Sequence, residues 1–94
     1  MGRKSMAEKI FEQVKEDHDE ELGTCLVLYD FKGTKGTTKF WTNMQRAIKL
    51  FGGSLVQYSV FKTNSKRSAI TVLRLAKHYG AETILYGAKE MDLN

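Results

Sequence analysis

Between residues 24 and 88, short β-rich runs alternate with segments whose apolar residues recur at helical spacing. The β-rich runs lie at 24–31, 54–62 and 82–88, and the helical segments lie at about 38–51 and 65–79. Because each helical segment must carry the chain across the sheet between two strands, this order predicts crossover connections and a layer of helices on one sheet. A chain of 94 residues has room for one such domain.

The first β-rich run, TCLVLYDF at 24–31, is apolar at nearly every position until Asp30. A continuous apolar run is typical of a strand that is covered on both faces, so we expect a central strand here. Cys25 lies within the run and is the only cysteine of the chain. It cannot form an internal disulfide, and we expect a small buried thiol.

The first helical segment follows a glycine-bearing loop at 32–37, and Thr37 or Thr38 can cap the helix. Its predicted core face consists of Phe40, Trp41, Met44, Ala47, Ile48 and Phe51. Its opposite face carries Lys39, Asn43, Arg46 and Lys49. The helical spacing of the aromatic residues favours packing in the core over stacking on nucleic-acid bases.

Charge is distributed unevenly along the chain. Residues 1–23 carry four basic and seven acidic side chains, a net charge of −3, whereas residues 24–94 carry eleven basic and four acidic ones, a net charge of +7. A basic body predicts a polyanionic partner, because phosphate contacts gain affinity from released counterions. The candidate nucleic-acid-binding residues lie near the two predicted helix starts: Lys32, Lys35, Lys39, Lys66 and Arg67. An evenly spread lysine excess that serves solubility is the alternative.

The acidic leader begins with a capping-box pattern, because Glu8 follows Ser5 at the required spacing. Apolar residues then recur every four positions, at Met6, Ile10 and Val14. This spacing predicts a short amphipathic helix at 5–17.

The acidic stretch at 16–21 is typical of a solvated linker. We therefore divide the chain into an N-terminal extension at 1–22 and a domain at 23–94. The acidic surface of the extension is suited to masking the basic body or to recruiting a partner.

Residue spacing argues against several enzyme and cofactor classes. Only two residues separate Gly33 from Gly36, so the loop does not match a P-loop, and no Rossmann fingerprint is present. His18 and His78 stand far from Cys25 and from each other, which excludes a Cys/His metal spacing. No Ser/His/Asp set can be assembled. No run approaches the roughly 20 apolar residues that span a bilayer, so we expect a cytoplasmic protein that does not enter a membrane.

Asp30 interrupts the apolar strand near its carboxyl end and is the only acidic residue between Glu21 and Glu82. A carboxylate at this edge can hold a hard cation such as magnesium. One carboxylate is too few for a tight site, but a two-fold dimer that brings two Asp30 side chains together would supply two. Alternatively, Asp30 accepts hydrogen bonds from the loop that follows it.

Two motifs resemble those of a known family. The segment LVLYDF at 26–31 ends its strand with Tyr29 and Asp30, and the segment GGSLVQYSVFKT at 52–63 contains the form Val-Gln-x-Ser-Val-Phe. Over residues 24–92 the chain resembles the small second-family CRISPR-associated protein that partners the adaptation integrase.

The resemblance implies an α+β fold, a ferredoxin-like sandwich with helices on one face of an antiparallel sheet, to which the leader adds an N-terminal helix. It implies a homodimer that binds duplex DNA or RNA and has the CRISPR adaptation integrase as a partner. Asp30 matches the aspartate that the family links to magnesium-dependent cleavage of RNA or DNA, so it is the expected catalytic and metal-binding residue. The expected motif and dimer-interface residues are Tyr29, Gln57, Ser59 and Phe61.

Alternation alone predicts one strand at 54–62, whereas the resemblance implies two strands that break around Ser59, and we adopt the pair. Where the family has arginines after its aspartate, this chain has Lys35, Thr37 and Lys39, which replaces bidentate phosphate contacts with point charges. Two other functions stay open. One is a stand-alone metal-dependent ribonuclease toxin of the virulence-associated D type, and the other is a ferredoxin-like interaction module.

Overall fold

The computed structural model describes residues 4–14, 24–32, 36–57 and 59–88. Its elements in chain order are α1 (Met6–Gln13), β1 (Thr24–Asp30), α2 (Thr38–Phe51), β2 (Ser54–Gln57), β3 (Val60–Thr63), α3 (Lys66–His78) and β4 (Glu82–Ala88). The four strands form one antiparallel sheet in the order β2-β3-β1-β4, and the helices pack on one face of it. This α+β arrangement is ferredoxin-like, as predicted.

Each helix begins after a hydroxyl side chain that accepts a hydrogen bond from the backbone three residues later. Ser5, Thr37 and Ser65 are these N-cap residues. The side-chain oxygen satisfies one of the backbone N–H groups that the first helical turn leaves without a partner. The prediction that Thr37 or Thr38 caps the second helix is therefore confirmed for Thr37.

The segment at 54–62 is two strands, so the prediction of a single strand from alternation is wrong and the pair is confirmed. β2 and β3 pair with each other in antiparallel register, with Leu55 opposite Phe61, and the turn between them contains Ser59. Alternation could not show the turn because β-rich residues stand on both sides of it. Gly53, just before β2, has a φ of 93°, and a Cβ at this position would collide with the Phe61 ring.

β1 is central, as predicted, but the expectation that it is covered on both faces is wrong. Cys25, Val27 and Tyr29 are buried on the face that packs against the helices, whereas Leu26 and Leu28 on the other face are only partly buried. The described helices all pack on one side of the sheet, so the residues that the structure describes form no covering layer over the second set of aliphatic side chains. The expectation of a buried Cys25 thiol is confirmed.

The core lies between the sheet and the helices. Aromatic rings fill the part that joins β1 to α2: the ring centroids of Tyr29 and Phe40 are 5.4 Å apart, and those of Phe40 and Trp41 are 4.9 Å apart. The predicted core face of α2 is confirmed, since all six of its residues are buried or packed against the buried cluster. The aromatic residues of this helix therefore serve packing.

The leader helix α1 packs against α2 and α3, and its residues Ala7, Ile10 and Val14 belong to the same buried cluster as the sheet. The prediction of a helix over 5–17 is too long, because α1 ends at Gln13 and Val14 is already extended. The predicted linker at 16–21 lies outside the described residues. In the part of the chain that the structure describes, no helix has the length and apolar character that crossing a bilayer requires.

Contacts from both α2 and α3 hold α1 in place. The Arg67 guanidinium donates two hydrogen bonds to the Phe11 carbonyl oxygen, at 2.8 and 3.1 Å, and lies 3.8 Å from the centre of the Phe11 ring. The Phe11 ring also stacks on the Phe51 ring of α2, with a centroid separation of 4.1 Å. Asn43, expected on the outer face of α2, instead accepts a hydrogen bond from the Ala7 amide at 3.0 Å.

Candidate functional site

The candidate site lies on the face of the sheet that the helices leave uncovered, which we call the open face. The side chains that the strand registers place on it include Leu26, Leu28, Asp30, Val60, Lys62, Glu82, Ile84 and Tyr86. Aliphatic and aromatic residues occupy the centre of this set, and Ile84 and Tyr86 are 52% and 50% exposed. Large apolar side chains grouped on a strand surface with this exposure are typical of an interaction surface.

Asp30 and Glu82 stand directly opposite each other where β1 ends and β4 begins. Residues opposite each other in an antiparallel pair have Cβ atoms about 4.5–5.5 Å apart and point to the same face. The two carboxylates therefore share one end of the open face. Asp30 comes from the strand end that the sequence singled out, and Glu82 is added by the fold.

The basic residue that follows Asp30 binds both carboxylates. Lys32 donates its backbone N–H to Asp30 Oδ1 at 2.9 Å, and its Nζ lies 3.1 Å from Glu82 Oε2. The alternative in which Asp30 accepts a hydrogen bond from the following loop is thus confirmed. The Lys32 and Glu82 side chains are both more than 60% exposed, so solvent screens their attraction strongly.

A groove of about 570 Å³ runs along this end of the open face. It is lined by Leu28, Tyr29, Asp30, Ser59, Val60, Glu82, Thr83 and Ile84. Thr83 Oγ1 is buried and has no hydrogen-bond partner among the described residues. The groove thus combines apolar walls with two carboxylates and the hydroxyl residues Ser59 and Thr83, a composition that suits a polar ligand held at one end.

The carboxylate pair fits the donor chemistry of magnesium. Magnesium is commonly held by one or two protein carboxylates, with waters and substrate phosphates as the other ligands. Asp30 and Glu82 would supply those two carboxylates from one protomer. Within the described ranges no group of three or more His, Cys, Asp or Glu residues could hold a metal ion.

The predicted nucleic-acid-binding residues are spread over different surfaces. Lys32 lies beside the carboxylate pair, and Lys39 is exposed in the first turn of α2. Lys66 and Arg67 open α3, where the guanidinium of Arg67 holds the Phe11 carbonyl. Lys35 lies outside the described residues. Of the predicted residues, Lys32 therefore lies beside Asp30, whereas Arg67 binds the backbone of α1.

The motif residues divide between the core and the surface. Tyr29 and Phe61 are 3% and 0% exposed and point toward the helices. Gln57 and Ser59 are exposed, and the Ser59 carbonyl accepts a hydrogen bond from the Tyr29 amide at 3.1 Å. The two motifs are therefore joined through the backbone at the end of the sheet that carries Asp30.

Sequence reasoning missed Glu82 as a partner of Asp30. The two residues are far apart in the chain, and only the β1–β4 register brings them together. One signal was available: Asp30 ends a β-rich run and Glu82 begins another. If two such runs pair in antiparallel fashion, the end of one meets the start of the other.

Comparison with known proteins gives no relative for this chain. No protein-family model, curated protein or solved structure matches it. Its function is therefore inferred from the geometry of the site and from the motifs in its sequence.

Proposed function

We propose that this protein binds duplex nucleic acid as a homodimer in CRISPR adaptation, and that it cleaves phosphodiester bonds in a magnesium-dependent reaction at Asp30. The observation that carries the proposal is an open face whose exposed apolar centre ends in the Asp30–Glu82 pair. The centre suits association with a second copy, and the pair suits a cation that binds phosphate. The CRISPR adaptation integrase is the protein partner that the sequence resemblance suggests.

The homodimer is supported by the composition of the open face. Ile84 and Tyr86 are half exposed, and the partly buried Leu26 and Leu28 lie opposite Tyr86 and Ile84 on β1. Packing two such faces together would remove apolar surface from water, which favours association by about 25 cal/mol for each Å² of apolar surface that is buried. A two-fold axis close to the Asp30 end would bring the carboxylates of both protomers to one site.

In the proposed reaction the chain's own residues position the substrate and its cation. Asp30 and Glu82 would hold the cation, which would supply neutralisation of phosphate charge and activation of a water molecule as a nucleophile. Lys32, 3.1 Å from Glu82, is exposed and exchanges its partner from Glu82 to a backbone phosphate of the substrate. The apolar wall formed by Leu28 and Ile84 keeps one side of the groove free of competing charge.

The test of cleavage uses labelled RNA and labelled duplex DNA, incubated with wild type and with Asp30→Ala at matched purity, in magnesium and in chelator. We expect cleavage that requires both magnesium and Asp30, with a loss of about a hundredfold or more in the variant, since metal-assisted steps gain several kcal/mol. Intact duplex binding without Asp30-dependent cleavage would contradict the nuclease part and leave a DNA-holding adaptor. Cleavage of RNA without duplex binding would instead indicate a stand-alone ribonuclease.

The test of the dimer is sedimentation equilibrium. The double variant Ile84→Thr with Tyr86→Thr keeps net charge and strand propensity, and we expect it to be monomeric where wild type is dimeric. The matched control is Leu50→Gln, which removes an apolar side chain of similar exposure, 53%, from α2. Equal association of all three proteins would show that the open face is not the interface.

A further inference from the structure

We propose that the exposed side of α2 is a second phosphate-binding surface, which holds the backbone of the duplex at a distance from Asp30. Its residues form one stripe along the helix, which we call the basic stripe: Lys39, Thr42, Arg46 and Lys49. All four are exposed. This inference rests on the proposed function, because it names where the proposed duplex would lie.

Helical geometry places the basic stripe on the side of α2 that faces away from the core. At 100° per residue, positions 39, 42, 46 and 49 fall within one narrow sector, and the buried residues Phe40, Met44 and Ala47 fall on the opposite side. Ten residues separate Lys39 from Lys49, a length of about 15 Å along the helix axis. A single phosphate ion cannot reach three cations over that length, whereas successive phosphates of one nucleic-acid strand can.

Beside the stripe lies a shallow groove of about 550 Å³. It is lined by Thr42, Gln45, Arg46, Lys49 and Leu50. Arg46 can donate two parallel N–H groups to one phosphate, and Lys49 adds a point charge. Thr42 and Gln45 add neutral donors of the kind that contact phosphate oxygens in protein–DNA complexes. No carboxylate lines the groove among the residues that the structure describes.

The charges of the stripe are available to a ligand. α2 contains no Asp or Glu residue, and within the described part of the chain Lys39, Arg46 and Lys49 form no ion pair. The pKa of Glu8 in α1 is lowered mainly by the hydrogen bond from the Ser5 backbone N–H, with a smaller contribution from the Arg46 charge, so the acidic leader meets the stripe at this residue. A second groove on that side is lined by Glu8 and Glu12, so the boundary between basic and acidic surface runs along the α1–α2 contact.

The stripe and the open face do not compete for the same space. α2 lies on the helix side of the sheet, so a dimer joined through its open faces leaves both basic stripes on its outer surfaces. Phosphate contacts of this kind fix the position of a duplex without reading its sequence. We therefore expect the stripe to strengthen binding of different duplex sequences equally.

The experiment measures the affinity of labelled duplexes by fluorescence anisotropy over a series of salt concentrations. The test variant is Arg46→Gln with Lys49→Gln, and the matched control is Lys9→Gln with Lys77→Gln, which removes two exposed charges from α1 and α3. A third variant, Arg46→Lys with Lys49→Arg, keeps both charges on the stripe. Circular dichroism checks that each variant is folded, and two duplexes of unrelated sequence test whether the effect is uniform.

We expect the test variant to bind both duplexes about tenfold more weakly at 0.1 M salt, and to lower the slope of log affinity against log salt by about two. The control should change affinity less than threefold, and the charge-keeping variant should stay close to wild type. If wild type binds duplex and the test variant matches the control, the stripe is not a binding surface although the proposed function stands. If wild type binds no duplex at any salt concentration, both proposals fail.

Discussion

The two faces of the sheet use similar side chains for different purposes. On β1, Cys25, Val27 and Tyr29 alternate with Leu26 and Leu28, yet only the first set is buried. On β4, the partly buried Leu85 faces the helices while Ile84 beside it is half exposed. Hydrophobicity alone therefore does not decide which face becomes the core. The position of the helices decides it, and the apolar residues left on the other face are available for association.

The two sides of the molecule also differ in charge. The open face ends in two exposed carboxylates, Asp30 and Glu82, and Lys32 donates its backbone N–H to Asp30 and pairs its ammonium group with Glu82. The helix side presents α2, which has basic residues and no acidic one. The proposed cation site and the proposed phosphate-binding surface therefore lie on opposite sides of the sheet in a chain of 94 residues.

The largest expected effect comes from comparing one aromatic residue on each face. Phe61 is fully buried against the helices, and Tyr86 is half exposed on the open face. Phe61→Ala should lower the free energy of unfolding by about 3–5 kcal/mol, whereas Tyr86→Ala should lower it by about 1 kcal/mol, mainly through lost strand propensity. Urea titration monitored by circular dichroism measures both.

Protein concentration sharpens this first comparison. If the open face forms the dimer, wild type gains stability with concentration by mass action, and Tyr86→Ala gains less. Phe61→Ala keeps the open face, so its gain with concentration should equal that of wild type. If Phe61→Ala and Tyr86→Ala lowered the free energy of unfolding equally at low protein concentration, the claim that one face is buried in the core and the other is exposed would be wrong.

Much of this fold could be predicted because its signals are local. The helices at 38–51 and 65–79 have hydroxyl caps and apolar residues at helical spacing, and the structure places them at Thr38–Phe51 and Lys66–His78. The β-rich run at 82–88 is β4. Each of these elements depends on residues within a few positions of one another.

What could not be predicted depends on contacts between distant parts of the chain. Both sets of alternating residues on β1 are apolar, so the sequence does not indicate which face the helices cover. Glu82 meets Asp30 only through the β1–β4 register. Arg67, predicted to bind nucleic acid, lies beside the Phe11 carbonyl because α1 packs on α3. In each case the outcome follows from tertiary packing, which no short window of sequence contains.

The second expected effect concerns the contact between Arg67 of α3 and Phe11 of α1, which holds α1 on the helix side of the sheet. Arg67→Ala removes two hydrogen bonds to the Phe11 carbonyl and the contact with the Phe11 ring. We expect a loss of about 1.5–3 kcal/mol in the free energy of unfolding, the usual value for hydrogen bonds made by a charged group. Hydrogen exchange of the α1 amides should accelerate in the same variant.

The matched control for α1 is Arg74→Ala, because Arg74 donates one hydrogen bond to Gln13 at 2.9 Å on the exposed surface. An exposed contact of this kind contributes about 0.5 kcal/mol or less. Arg67→Lys tests the geometry, since it keeps the charge but loses the planar fork and should recover only part of the stability. If Arg67→Ala and Arg74→Ala lowered the free energy of unfolding equally, the packing of α1 would not depend on the contact between Arg67 and Phe11.

The smallest expected effect is a pH dependence confined to α1. The Ser5 backbone N–H donates a hydrogen bond to the Glu8 carboxylate at 2.9 Å, and with a smaller contribution from the Ser5 hydroxyl it lowers the pKa of Glu8 below its ordinary value of 4.5. Because folding favours the ionised form, this contribution to stability is fully present above pH 4.5 and is lost as the pH falls through the lowered pKa. Glu8→Gln keeps the capping hydrogen bond and removes the charge. Thermal unfolding from pH 7 to pH 3 should therefore show a higher melting temperature for wild type than for Glu8→Gln, and this difference should shrink below pH 4.5. A difference that stays constant across the pH range would refute the assignment.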